Sequence, residues 1–201
     1  MITIYHHPST RSFRIVWMAE EMGLPYQVKA ESMVQRSAEL TAINPVGALP
    51  TVVDGDLVLT ESAAVLQLLG ERHGPTSLVP AKDDPSYPAF LEALHYGESS
   101  LAAFLTPLVH TRFLAPKDER DNWTATRLAE MFCQRLAFAE QRLAAHPYIA
   151  GGTFTAADIC IGYALRFGAA FGLLDRYPPA VAAYWARLQE RPAYQRALAA
   201  A

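Results

Sequence analysis

Asn44-Pro45-Val46-Gly47-Ala48-Leu49-Pro50-Thr51-Val52-Val53-Asp54-Gly55-Asp56-Leu57-Val58-Leu59-Thr60-Glu61-Ser62-Ala63-Ala64 is the stretch on which the fold turns. Asn44–Gly47 reads as a turn. Residues 50–53 and 57–60 read as short strands, and Asp54-Gly55-Asp56 between them is a strong hairpin signal. A helix follows over 61–73, with Ala64, Val65, Leu68 and Leu69 expected on its apolar face. Pro50 opens the first of these strands, where proline is tolerated because the ladder does not need its N–H. If the Leu49–Pro50 bond is cis, the backbone of Leu49 faces outward as an unpaired edge able to bind an extended peptide; an ordinary trans proline at a strand start is the alternative.

Moving outward toward the N-terminus, Met1–Tyr5 is rich in β-formers, and His6–Arg11 is a loop around Pro8. Ser12 is placed to cap a helix running to Met22, stopped by Gly23 and Pro25. Phe13, Val16 and Trp17 set its apolar face and Glu20-Glu21 its polar one. Tyr26–Ala30 is a second strand, so the first two strands should run parallel around a βαβ crossover. A weak helix over 36–42 completes the order βαβαββα. Toward the C-terminus, residues 74–85 hold Gly74, Pro75, Pro80 and Pro85 and form a linker. Beyond it no strand pattern appears. Residues 87–113, 118–145, 155–171 and 179–198 read as long helices, the last dividing at Pro192. The expected organisation is a domain over 1–75, a linker over 76–85 and an all-helical domain over 86–201.

Composition narrows the chemistry. The chain has 201 residues, is 51% hydrophobic and carries a formal net charge of -3, so nothing in its composition points to a general affinity for nucleic acid or anionic membrane, and neither is expected as a partner. Cys133 and Cys160 sit apart in apolar runs without a Cys-x-x-Cys pair and read as buried thiols. The six histidines show no metal spacing, and no metal cofactor is expected. The start on a strand rather than a signal peptide, and the lack of an apolar run long enough to span a bilayer, give the expectation of a soluble cytoplasmic protein. Thr155 and Asp158 form a capping box at the start of a buried helix and read as folding chemistry.

Glu61-Ser62 lies at a helix start, where free N–H groups and the positive dipole end attract a carboxylate. Ser62 can hold the carboxylate of a free amino-acid head group while Glu61 takes its ammonium; the same residues also read as a plain helix N-cap. With the Asn-Pro-x-Gly-x-Leu-Pro run before them and the Asp-Gly-Asp-x-x-Leu-Thr-Glu-Ser-Ala-Ala run that contains them, they resemble the glutathione site of the cytosolic glutathione transferase superfamily. Residues 9–26 (Ser-Thr-Arg-Ser-Phe-Arg-Ile-Val-Trp-Met-Ala-Glu-Glu-Met-Gly-Leu-Pro-Tyr) resemble it too, nearest a bacterial and fungal group with a Ser-Arg-x-Phe-Arg start. Thr155-Ala156-Ala157-Asp158 and the run from Tyr184-Trp185 to Arg191-Pro192-Ala193-Tyr194 extend the resemblance over the whole chain.

The resemblance implies a thioredoxin-like N-terminal domain followed by an all-helical one, α/β plus all-α. It makes Pro50 the cis-proline, pairs the Leu49 backbone with the cysteinyl amide of glutathione, and gives the γ-glutamyl end to Glu61 and Ser62. Family members often carry Lys or Arg after the turn glycine; this chain has Ala48, so the glycyl carboxylate must be met elsewhere, for instance by Gln35 or Arg36. A free thiol, with a pKa of about 8.5, must be stabilised as its anion. Counting along the loop puts Ser9 first as the hydroxyl donor, Thr10 second and Ser12 third, with Arg11 assisting by charge; the tyrosine position of other classes holds His6. Tyr96, Ser100, Phe104 and His110 are the candidates for the second-substrate pocket, with Tyr96 and Phe104 open also to plain interhelix packing. The implied activity is conjugation of glutathione to a small hydrophobic electrophile, as in detoxification, by a homodimer. Glutathione-dependent peroxidase, disulfide reductase, dehalogenase or isomerase chemistry, or a non-catalytic interaction or ligand-carrier role, are the alternatives.

Overall fold

The computed structural model describes residues 1–200. Its contacts divide the chain into two compact units, Met1–Val79 together with the segment from Leu188 onward, and Pro80–Arg187.

The first unit is built on a four-stranded sheet of β1 (Ile2–His6), β2 (Tyr26–Ala30), β3 (Thr51–Asp54) and β4 (Leu57–Leu59), in the order β2-β1-β3-β4. β1 and β2 pair in parallel, Ile2 opposite Tyr26, and β3 runs antiparallel to both β1 and β4. β3 and β4 are joined by a two-residue turn in which Gly55 alone takes positive φ, 64°, as a type II′ turn requires. The helices are α1 (Ser12–Met22), α2 (Ala38–Ile43) and α3 (Ser62–His73). Strand alternation puts Ile2, Ile4 and His6 on one face and Tyr5 on the other, where Tyr5 meets Leu40 of α2 and Leu49. α1 packs on β1 and α3.

Two sequence expectations are corrected in this unit. Residues 12–19 of α1 are buried on all sides, so the helix is no two-faced amphipath. The buried face of α3 is Ser62, Val65, Leu66, Leu69 and Gly70; Ala64 is exposed and Leu68 half-buried. Its face therefore sits one position away from the one that the aliphatic pattern suggested.

The helical unit contains α4 (Tyr87–Tyr96), α5 (Ala103–Val109), α6 (Trp123–Ala145), α7 (Ala156–Ala170) and most of α8 (Pro179–Gln189). The single helix expected over 87–113 is broken by π-helical segments at Gly97–Ala102 and His110–Leu114. Pro107 lies inside α5, where it removes an N–H and crowds the preceding turn. α6 begins at Trp123 rather than at 118, capped by Asn122, whose side chain accepts from the Ala125 N–H at 3.0 Å. α7 is buried along most of its length and packs on α4. The N-terminus of α8 is capped from another helix, with Glu140 Oε2 accepting from Ala180 N at 3.0 Å and Val181 N at 3.2 Å.

The last helix, α9 (Pro192–Ala199), was expected with the helical domain but packs on α1 in the first unit. The reason is an aromatic and ionic match. Tyr194 meets Phe13 and Trp17 edge-on at centroid distances of 5.5 and 4.9 Å. Arg191 forks onto Glu21 at 2.6 and 2.8 Å, and Arg196 reaches Glu20 at 2.5 Å.

Candidate functional site

The Leu49–Pro50 peptide is cis. Both residues are buried, at the approach to β3, and the turn before them is held by side chains. Asn44 Nδ2 donates to Thr51 Oγ1 at 2.9 Å, and Thr51 Oγ1 donates to the Ala48 carbonyl at 2.8 Å. Arg36 Nε donates to the Gly47 carbonyl at 2.9 Å, which brings a guanidinium beside Ala48.

At the start of α3, Glu61 is exposed and occupies the N-cap position in an extended conformation. Its side chain makes no cap hydrogen bond. Ser62 is buried, and its Oγ accepts from Arg14 Nη1 at 2.8 Å. Arg14 is fully buried on α1. A cation placed there makes the α3 start more attractive to a carboxylate than the helix dipole alone. Having accepted from Arg14, the Ser62 hydroxyl keeps its own proton to donate. Sequence reasoning missed Arg14; the only signal was a charged residue among apolar neighbours.

The loop between β1 and α1 carries the hydroxyl candidates. Ser9 is exposed, and its N–H donates to His7 Nδ1 at 3.1 Å. Thr10 is half-buried, its Oγ1 at 2.9 Å from the His7 carbonyl and 2.6 Å from Ser12 Oγ. Ser12 is fully buried and is the first residue of α1; the N-cap is Arg11, half-buried, so the capping role expected of Ser12 is corrected. Ser12 Oγ instead meets His6 Nδ1 at 2.8 Å. The Tyr5 hydroxyl is turned to the opposite side, donating to Glu39 at 2.9 Å, and burial with that bond raises its pKa.

In the helical unit the second-substrate candidates do not gather. Tyr96 and Ser100 line an open groove of about 610 Å³ between α4 and α6, together with Arg135 and Phe138, whereas Phe104 and His110 are not among its walls. Tyr96 packs on Phe138 at 4.3 Å between ring centroids, and its hydroxyl donates to the Arg135 carbonyl. Burial pushes its pKa well up. Phe104 is half-buried on α5 and His110 is exposed. The π-helical turns over Gly97–Ala102 change the residues per turn, so the face carrying Tyr96 and Ser100 does not continue to Phe104.

With this geometry in place, similarity to known proteins becomes informative. Residues 1–71 match the family model of the glutathione S-transferase N-terminal domain, and residues 88–192 that of its C-terminal domain. The chain belongs to the glutathione S-transferase family. Glutathione S-transferase 3 of Schizosaccharomyces pombe is 32% identical, covering 96% of this chain and 85% of its own length. A theta-class glutathione S-transferase from Xanthomonas axonopodis pv. citri, solved with glutathione bound, is 31% identical with a TM-score of 0.84, covering 100% of this chain and 98% of that one. A glutathione transferase from Methylococcus capsulatus superposes with a TM-score of 0.88 at 25% identity, over 100% and 98% of the two chains. This glutathione S-transferase is an enzyme of the transferase class, with a thioredoxin-like unit and a helical one.

Proposed function

We propose that this transferase binds glutathione at Leu49, Pro50, Glu61 and Ser62 and conjugates its thiolate to a small hydrophobic electrophile. The observation that carries the reading is the buried Arg14–Ser62 hydrogen bond of 2.8 Å. It orients a hydroxyl at a helix start and supplies the positive charge that an amino-acid carboxylate needs. Exposed Glu61 beside it suits the ammonium of the same head group. The backbone of Leu49, ahead of the cis Pro50, is the proposed partner of the cysteinyl amide. Arg36, held at the Gly47 carbonyl, is the proposed contact for the glycyl carboxylate in place of a basic residue at Ala48. Arg11 contributes charge at the start of α1. Ser100, on the groove between α4 and α6, is the helical unit's proposed contact to the electrophile; Phe104 and His110 lie outside that groove, and the packing of Tyr96 on Phe138 favours a structural role for it. A homodimer through exposed faces of α3 and α4, a cytoplasmic location and membership of the bacterial and fungal Ser-Arg-x-Phe-Arg group complete the proposal. Among the described residues no helix is long and apolar enough to cross a membrane.

Calorimetric titration with glutathione, followed by turnover with a panel of electrophiles, tests this. Micromolar to millimolar binding that falls about tenfold or more in Ser62→Ala is expected. Unchanged affinity in that variant sinks the site assignment, and binding without turnover points to a carrier.

A further inference from the structure

α1 is gripped on two sides, and neighbouring residues mark them. Arg14 Nη1 donates to Ser62 Oγ at 2.8 Å, at the start of α3. Phe13, about 100° away around the helix, meets the Tyr194 ring of α9 edge-on at 5.5 Å. Trp17, one turn further on the same face, meets that ring at 4.9 Å. Phe13, Arg14 and Trp17 are all buried. A polar grip lies toward the other end of α1. Glu21 Oε1 accepts from Trp17 Nε1 at 2.9 Å and from Arg191 Nε at 2.6 Å, and its Oε2 accepts from Arg191 Nη2 at 2.8 Å. Arg191 thus fixes the carboxylate that orients the Trp17 ring.

α9 is built to come away by itself. It has eight residues, too few to stay helical alone in water. Its buried residues are Ala193, Tyr194 and Ala197, of which Tyr194 alone is large. The side chains of Arg191 and Arg196 remain 26% and 55% exposed in their ion pairs with α1. A terminal element held by so narrow a stripe opens at a lower free energy than the strands of the sheet. When it opens, Phe13 and Trp17 lose the ring that covers them. A close-packed interior relaxes in part into such a void, and α1 moves with it. A shift of about 1 Å is enough to take the Arg14–Ser62 bond out of range.

We propose that Tyr194 and Arg191 are positioning residues for the glutathione site: acting through α1, they hold Arg14 against Ser62, so that docking of α9 and binding of glutathione strengthen each other. This rests on the glutathione reading above. The coupling is reciprocal: the factor by which a docked α9 raises glutathione affinity is the factor by which glutathione suppresses the opening of α9. α9 takes no part in the chemistry and its grip is on the far side of Arg14 from Ser62. A merely structural α9 would add stability to the chain without favouring the liganded form over the free one.

Hydrogen exchange over residues 192–199 in the wild type, with and without saturating glutathione, tests the coupling without any variant. α9 amides should exchange faster than those of β1, and glutathione should slow them about fivefold or more. Calorimetric titration with glutathione then tests the route. Tyr194→Leu and Arg191→Met should weaken binding by up to that same factor, and Tyr194→Phe, which keeps the ring, should recover most of what Tyr194→Leu loses. In a Ser62→Ala background the two losses should shrink to less than about twofold, because the bond through which they act is already gone. Exchange in α9 no faster than in β1, exchange that glutathione leaves unchanged, or losses that add fully to that of Ser62→Ala overturns the proposal alone. A wild type that binds no glutathione overturns the reading beneath it as well.

Discussion

Replacing Asp158 by Asn changes one atom of a fully buried carboxylate. Asp158 Oδ1 accepts from Ile149 N at 3.0 Å and from the Tyr184 hydroxyl at 2.7 Å. Oδ2 accepts from Thr155 N at 2.7 Å and Thr155 Oγ1 at 3.0 Å. One carboxylate thus joins the loop at Ile149, the start of α7, and α8. Asn can keep the first pair on its carbonyl oxygen, but its amide N–H₂ then faces the Thr155 N–H, donor against donor. The Thr155 hydroxyl can rotate to accept; the N–H cannot. A buried unmatched N–H costs about 1–3 kcal/mol, and the two remaining bonds lose the charge that roughly doubles their strength. Together that is about 3 kcal/mol, against about 1 kcal/mol for an ordinary cap. For a chain of this length it lowers Tm by roughly 6–12 °C. Thermal unfolding followed by circular dichroism measures the loss, and a double-mutant cycle with Tyr184→Phe should show the two changes to be non-additive. A fall of less than about 2 °C, or strict additivity with Tyr184→Phe, would refute the view that Asp158 is a junction rather than a simple cap.

Arg14→Met, which keeps the volume and removes the guanidinium, should weaken glutathione binding as much as Ser62→Ala, and the double variant no further; additive losses by calorimetry would separate the two residues. Tyr96→Phe should leave conjugation kinetics within about twofold of the wild type and cost about 1 kcal/mol of stability, because its hydroxyl is spent on the Arg135 carbonyl; a large change in KM for the electrophile would return it to the pocket. Burial opposes ionisation of Glu20, yet the hydrogen bonds from Arg196 and Tyr26 outweigh it and hold its carboxyl below the ordinary 4.5. A depressed folded pKa adds stability above the unfolded value and loses it as pH falls through the folded one. The gap in Tm between the wild type and Glu20→Gln should therefore be widest at neutral pH, shrink as pH falls below 4.5 and close once it has passed the depressed folded pKa; a gap that does not shrink in acid would mean that the carboxylate is not what holds α9.

Much of the first unit could be read from its punctuation. Gly23 and Pro25 after Met22, and Gly55 between two β-rich runs, are local signals, and α1 and the hairpin fall where those residues place them. The parallel pairing of β1 and β2 follows from the crossover rule. What periodicity could not carry was orientation. α1 is covered on all sides over residues 12–19, so no alternation marks Arg14 as the residue facing α3. The start of α3 was legible as a place for a carboxylate, but the cation 48 positions earlier that meets Ser62 is a tertiary fact. The same holds for His6, whose partner Ser12 looked like a cap. In the helical unit, the 3.6-residue repeat was extended across Gly97–Ala102, and the π-helical turns there undo it.

The return of α9 to α1 makes the first unit discontinuous in the chain. A ribosome releases residues 1–79 long before Tyr194 exists, so during synthesis Phe13 and Trp17 lack the ring that covers them in the finished protein. The unit that begins first is completed last. A cut at the apparent domain boundary therefore does not isolate a glutathione-binding module. It yields a fragment with an apolar stripe on α1, prone to self-association, and supplying residues 188–201 as a separate peptide should restore its solubility.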